Sequence, residues 1–344
     1  MHTRSLVLFL GAALAASITV PGLRAAEAVL EKKTAGYAKK ILARSDKYII
    51  AGFRVAFNTE GAASASTDSR LKNLGNSIGS GPKTVHSDAS VSMKVSLAGP
   101  QAEDFQRITE EAYADFKQRL EQAGCTVLGP DVLKASKGYG ELKFTPSTPE
   151  RPYVKDLSLG AGRTVVVYSP AELPLFLGHF DGNALGSVSL DLGNWRALNQ
   201  LSVETKAVVL VPTITIDFVQ MKSSGRGKML RNTAEVGAEP QISLIGSLTN
   251  LAVFHAKIRL AGELAATHLA EDLAMPGAFG AMEEVSASDN AALNSALVRL
   301  TGLAGSVNSK SHRVVAAVPE DYRRLSLEAV GGFNALAAGL VMAK

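Results

Sequence analysis

Apolar and polar positions alternate strictly in SDASVSMKVSLAG, residues 87–99, with Val91, Met93, Val95 and Leu97 on one side and Ser90, Ser92, Lys94 and Ser96 on the other. A period of two is that of a pleated strand, and one dry and one wet face favours antiparallel or mixed pairing. KYIIAGFRVAF, residues 47–57, sets Ile49, Ala51, Phe53, Val55 and Phe57 against Tyr48, Gly52 and Arg54. It then runs into Gly, Ser, Ala, Asn and Thr, so residues 58–82 are expected to form a long loop. A second such strand, Lys206–Gln220, carries Ile214, Ile216 and Phe218 and leads into a Ser/Gly/Arg/Lys loop over 220–232. Further strands are expected in CTVLG, GRTVVVYSPAEL, AEVGAEPQISLIG, LAVFHAKIRLAG and HRVVAAV. KVSLAG (94–99) and QISLIG (241–246) align, which leaves two readings: a duplicated strand–long loop–strand unit, or two unrelated hairpins of a β-rich chain.

The period lengthens to that of a helix in GPQAEDFQRITEEAYADFKQRLEQAG. Phe105, Ile108, Ala112, Phe116, Leu120 and Ala123 make its stripe, with Pro100 and early acids at the start and Gly124 at the stop. Shorter helices are expected over AVLEKKTAGYAKKILARSD (stripe Val29, Leu30, Tyr37, Ile41, Leu42), PDVLKAS, LDLGNWRALNQLSVET and AATHLAEDL, and in SASDNAALNSALVRLTGLAG behind a Ser288 or Asp289 cap. The last helix opens at Pro319 with two acids and is uncharged from Ala329 to Ala343, which falls short of a membrane span and suits a core or a partner. The fold class expected is α/β (α+β), with mixed or largely antiparallel sheets covered by helices. The passage from the long helix through LEQAGCTVLGPDVLKAS resembles the envelope α/β domains of the curli-secretion and TolB N-terminal type. There a helix leads through a glycine and a strand into a short helix; the likeness covers about 40 residues and implies architecture.

The first residues bear on location. MHTRSLVLFLGAALAASITVPGLRAAEA has a basic start at Arg4, an apolar run from Leu6 to Val20 and a small-residue exit, the layout of a secretory signal peptide. The expected division is a signal peptide over 1–26, an N-terminal α/β subdomain over 27–160 and a C-terminal one over 161–344. The protein is then expected in the periplasm or secreted, with no transmembrane segment once the signal is removed. Taking away Arg4 and Arg24 leaves 34 basic against 32 acidic residues, with no run of five like charges, so nucleic-acid binding is not expected. The single cysteine, Cys125, permits no intramolecular disulfide and reads as a buried, inert thiol.

Candidate chemistry is sparse. No nucleophile elbow, H-E-x-x-H pair, P-loop or G-x-G-x-x-G fingerprint occurs. GHFDGN holds His179 and Asp181, which could act as base and orienter of a hydrolase or metal-dependent enzyme, or as two turn residues of a solvated loop. His255 and His268 are thirteen apart, with Glu271 and Asp272 on the expected helix face of His268, a local ion pair rather than a metal site. His86 and His312 stand beside loops, and Glu110–Glu111 and Glu283–Glu284 read as solvated charge. Arg226 and Lys228 give the second loop an anion-seeking tip. No cofactor or metal is expected. Small apolar residues point to a hydrophobic small molecule or lipid, or to a homo-oligomeric assembly surface. The function expected is that of an exported, non-enzymatic envelope component.

Overall fold

The computed structural model describes residues 29–66, 90–157, 162–178, 192–224, 235–285 and 311–343. Its strands are β1 (Lys47–Ile50), β2 (Arg54–Ser66), β3 (Ser90–Ala98), β4 (Thr126–Val127), β5 (Tyr153–Leu157), β6 (Arg163–Tyr168), β7 (Val208–Ser224), β8 (Glu235–Leu244), β9 (Asn250–Ile258), β10 (Ala261–His268), β11 (Leu273–Ala274), β12 (Gly280–Glu284) and β13 (Ser311–Ala317). Its helices are α1 (Lys32–Leu42), α2 (Ala102–Gln122), α3 (Pro130–Ala135), α4 (Lys137–Gly140), α5 (Leu192–Thr205) and α6 (Pro319–Met342). The result is an α/β fold, about 36% helix and 40% strand, around one mixed parallel and antiparallel sheet.

The path through that sheet is β10-β9-β7-β2-β3-β13-β12, with β6 on the other side of β2, β5 beyond it, and β8 on β7. β7 is its spine. Its start pairs in parallel with β1 (Ile49 opposite Val209) and then with β2 (Val55 opposite Ile214, Phe57 opposite Ile216). The stretch 47–57 is therefore two short strands on one neighbour, broken at Ala51–Phe53. Strands lined on both edges and covered on both faces lose the wet side that alternation implies; Tyr48, Gly52 and Arg54 are as buried as Ile49 and Val55.

α2 supplies the principal cover. Phe105, Ile108, Ala112, Phe116 and Leu120 are buried as the stripe requires, while Ala123 is half-buried. Phe105 meets Phe57 at a ring separation of 4.6 Å, and Phe116 meets Phe53 at 6.0 Å. The helix stops at Gly124, whose φ of 77° lies in the left-handed region open to glycine. α2, β4 and α3 follow in the order expected, with Cys125 half-buried rather than buried, because β4 has only two residues and one flank. α6 packs along α2, its Tyr322 against Phe105 and its Asn334 donating to the Ala112 carbonyl at 2.9 Å. By length and composition it is the one helix among the described residues able to cross a membrane; here 56% of its most apolar window is buried.

Three expectations are corrected. Residues 58–66 are strand, because the small residues of GAASAS still pair with β3, Glu60 opposite Ser96 through Ser66 opposite Ser90. Residues 220–224 likewise continue β7 against β8. AATHLAEDL is no helix: Ala261–His268 pairs residue by residue with β9, and the hydrogen bonds of that hairpin override local helical spacing. The helix expected over 286–305 lies outside the described residues.

Candidate functional site at the roots of two hairpins

β2 and β7 part company just beyond Phe57 and Ile216. β2 takes β3 as its antiparallel partner, and β7 takes β8. Because β2 and β7 run parallel, both hairpins leave the sheet in the same direction, and their described ends, at Ser66 and Ser90 and at Ser224 and Glu235, lie at one end of the molecule. Each root carries a register shift, between Asn58 and Glu60 on β2 and between Asp217 and Val219 on β7. Such bulges bend and twist strands. Above them the two hairpins pack closely: a Cβ on Gly61 would stand 3.3 Å from Val219 Cγ1.

Polar side chains gather where the strands separate. Asp217 is buried, and its Oδ1 accepts hydrogen bonds from Asn58 Nδ2 at 2.7 Å and from the Phe218 N–H at 2.9 Å. Its other oxygen lies 3.0 Å from the Arg163 guanidinium, which reaches over from β6 and is a quarter exposed. Burial pushes the Asp217 carboxyl above its ordinary value, against the opposing pull of Arg163 and Asn58. One step outward, Glu60 pairs with Lys94 Nζ at 2.8 Å and accepts from the Thr164 hydroxyl at 3.1 Å. Beyond it Ser96 Oγ lies 3.0 Å from His312 Nε2. Desolvation and then the Lys94 charge depress the His312 pKa, and Glu60 acts in the opposite sense. His312 is thus buried within β13, not beside a loop.

The geometry is that of a polar lock. The Asp217 carboxylate is engaged by a guanidinium and an amide and that of Glu60 by an ammonium and a hydroxyl, and no group of three metal-ligating side chains occurs among the described residues. What the arrangement does is fix the angle at which the two hairpins diverge, since Asn58, Arg163 and Asp217 bridge three strands. Sequence reasoning passed over Asn58, Glu60, Arg163 and Asp217, and met Lys94 and His312 only as a wet strand position and a histidine beside a loop. The available signal was Asp217 itself, a lone acid inside the apolar run TITIDFV.

A second feature is a groove of about 560 Å³ between the start of α2, the segment 144–149 and the turn after β6. Phe144, Pro146, Pro149, Tyr168, Pro170 and Pro174 line it. On its wall Glu110 accepts from Gln106 Nε2 and from the Ala171 N–H, each at 2.7 Å, so this carboxylate is tied to the turn rather than solvated.

His179 and Asp181 lie outside the described residues, as do Arg226, Lys228 and His86. His255 and His268 are not brought together: the two strands place His255 opposite Glu263 and His268 opposite Asn250. The His268 carbonyl accepts from the Glu31 N–H at 2.9 Å. Glu271 and Asp272 follow the end of β10, with Asp272 capping the Gly246 N–H at 2.7 Å, so the expected ion pair on a helix face is not formed. Glu283 and Glu284 alternate along β12, both exposed, with Glu284 3.8 Å from Arg313. Comparison of the chain with protein-family models, curated proteins and solved structures finds no match.

Proposed function

We propose that this chain is an exported, non-enzymatic component of the cell envelope that acts in assembly, presenting two hairpins together to a partner. The observation that carries the reading is the parallel pairing of β2 with β7, which roots both hairpins side by side and brings their described ends, Ser66 with Ser90 and Ser224 with Glu235, to the same end. A buried polar lock at the point of divergence supports it, because a fixed base holds the two described hairpin stems in one orientation. Periplasmic or secreted location rests on the N-terminal signal pattern. The test replaces 67–89 and 225–234, singly and together, with four-residue turns and follows native mass and cellular activity. Loss of a defined oligomer or of activity in a shortened but folded chain is expected; full retention of both sinks the reading.

The proline-lined groove favours a second reading, a carrier of a hydrophobic small molecule or lipid. Native mass spectrometry of protein recovered from its own compartment separates the two. A retained hydrophobe that is lost on Phe144→Glu substitution supports the carrier, and an apo oligomer supports assembly. The hydrolase reading built on His179 and Asp181 is tested by whether His179→Ala and Asp181→Ala change any hydrolytic turnover.

A further inference from the structure

The sequence set Tyr37 and Val29 on the apolar stripe of α1, but the structure leaves both outside, 63% and 51% exposed. α1 rests on one face of the β9–β10 hairpin through Ala38, Ile41 and Leu42, with Thr34 touching Thr267. Its outward line is Lys33, Gly36, Tyr37, Lys40 and Arg44, the spacing of one helical face carried one residue past the last turn. Lys40 Nζ lies 5.5 Å from the Tyr37 ring centroid. Where α1 ends, the tip of the β9–β10 hairpin exposes Ile258 (60%) and Leu260 (66%) beside Lys257 and Arg259. Arg44 joins the two elements by pairing with Glu263 at 2.9 Å. A cleft of about 490 Å³ opens between them.

Charge is concentrated here. Between Val29 and Lys47 six basic residues stand against two acidic, a net of +4, which equals the formal charge of the whole 344-residue chain. Lys32, Lys33, Lys39 and Lys40 have no carboxylate partner among the described residues, whereas Arg44 and Arg259 are paired with Glu263 and Glu141, and the Lys257 charge is felt by Glu263. Unpaired lysines flanking an exposed tyrosine and two exposed aliphatic side chains make the pattern of an interfacial surface: ammonium groups suit lipid phosphates, and Tyr, Ile and Leu suit the boundary between headgroup and acyl chain. We propose that this face docks on an anionic lipid bilayer, with Lys33, Lys40 and Lys257 at the headgroups and Tyr37, Ile258 and Leu260 entering the interface. The surface lies toward the end of the sheet where β7 begins, Val209 being opposite Phe254, so a docked chain aims its two hairpins away from that bilayer. This inference is independent of what the hairpins bind.

Co-sedimentation of the full chain with vesicles of phosphatidylcholine and phosphatidylglycerol at 3:1, against pure phosphatidylcholine, tests it. The readout is the change in anionic preference between wild type and the variants below, since the N-terminal segment, with Arg4 and Arg24 around its apolar run, is common to all of them. A preference for the anionic vesicle is expected, falling steeply with salt. Lys33→Gln/Lys40→Gln is expected to weaken anionic binding about 25-fold, roughly fivefold for each charge removed. Ile258→Ser/Leu260→Ser is expected to weaken it several-fold without altering its salt dependence. Both pairs are exposed, and an unchanged far-ultraviolet spectrum confirms that each variant folds. Absence of any anionic preference, or wild-type binding by the lysine variant, overturns the proposal; so does stable capture of an acidic protein by this face with no vesicle binding.

Discussion

Replacing Asp217 by alanine removes the acceptor on which the two hairpin roots converge. The Asn58 amide and the Phe218 N–H, both buried, then lose bonds of 2.7 and 2.9 Å. Arg163, a quarter exposed, turns to water and escapes the full cost of a buried lone charge. Two orphaned donors at about 1–3 kcal/mol each, less the relief of no longer burying a carboxylate, give a net loss of about 2–4 kcal/mol. In urea that is a fall in midpoint on the order of 1 M. Asp217→Asn keeps an acceptor for Asn58 and is expected to lose less than about 1 kcal/mol. The pH dependence provides an internal check. Burial raises the folded pKa of Asp217 above its ordinary 3.8, so the folded chain holds the proton more tightly than the unfolded one. This group's contribution therefore declines as pH rises from about 3.8 through the folded pKa, and is recovered on acidification. Asp217→Asn should flatten that limb of the stability profile. If Asp217→Ala unfolds within about 0.5 kcal/mol of wild type, or Asp217→Asn is as costly as Asp217→Ala, hydrogen bonding does not hold the roots and the reasoning fails.

His312 has a folded pKa below its ordinary 6.5, so the folded chain resists protonation and loses stability as pH falls below that value; His312→Gln is expected to lessen the loss, as read by chemical unfolding at pH 7 and pH 5. Phe105→Ala empties a buried site against Phe57, Tyr168 and Tyr322 and is expected to cost about 3–5 kcal/mol in urea unfolding. Gly138→Ala drives a methyl into the Leu201 backbone nitrogen and the Ala197 carbonyl and is expected to lower stability by about 1–3 kcal/mol, measured as a drop in Tm.

Much of the framework was legible because its pattern is local. Phe53, Val55 and Phe57 share the face that α2 covers, and the stripe from Phe105 to Leu120 meets it. The resemblance in character between Phe53, Val55, Phe57 and Ile214, Ile216 has a physical counterpart, since Val55 lies opposite Ile214 and Phe57 opposite Ile216 in the sheet. What escaped was decided by partners far away in sequence. Strand pairing held GAASAS extended although its residues have low strand propensity, and the β9–β10 register imposed strand on AATH. Tyr37 was placed on the wrong side because helical spacing alone does not say where β10 will lie. The polar lock was illegible for the same reason: Asn58 and Asp217 read as unrelated residues until β2 and β7 are laid side by side.

That side-by-side placement also dictates when the chain can fold. Asn58 and Asp217 are 159 residues apart, and both β1 and β2 complete their parallel edge on a strand that begins at Val208. A nascent chain that has emerged only as far as α2 has its aromatic stripe and the β2–β3 ladder but no central strand to dock on. Local hairpins and helices form in microseconds, whereas closure of so long a loop raises the mean sequence separation of contacts and slows the committed step. Until β7 arrives, Ile49, Phe53, Val55 and Phe57 are apolar surface in search of a neighbour, so the interval between synthesis of the first strand and the seventh is when this chain is most exposed to aggregation and most dependent on a holding chaperone.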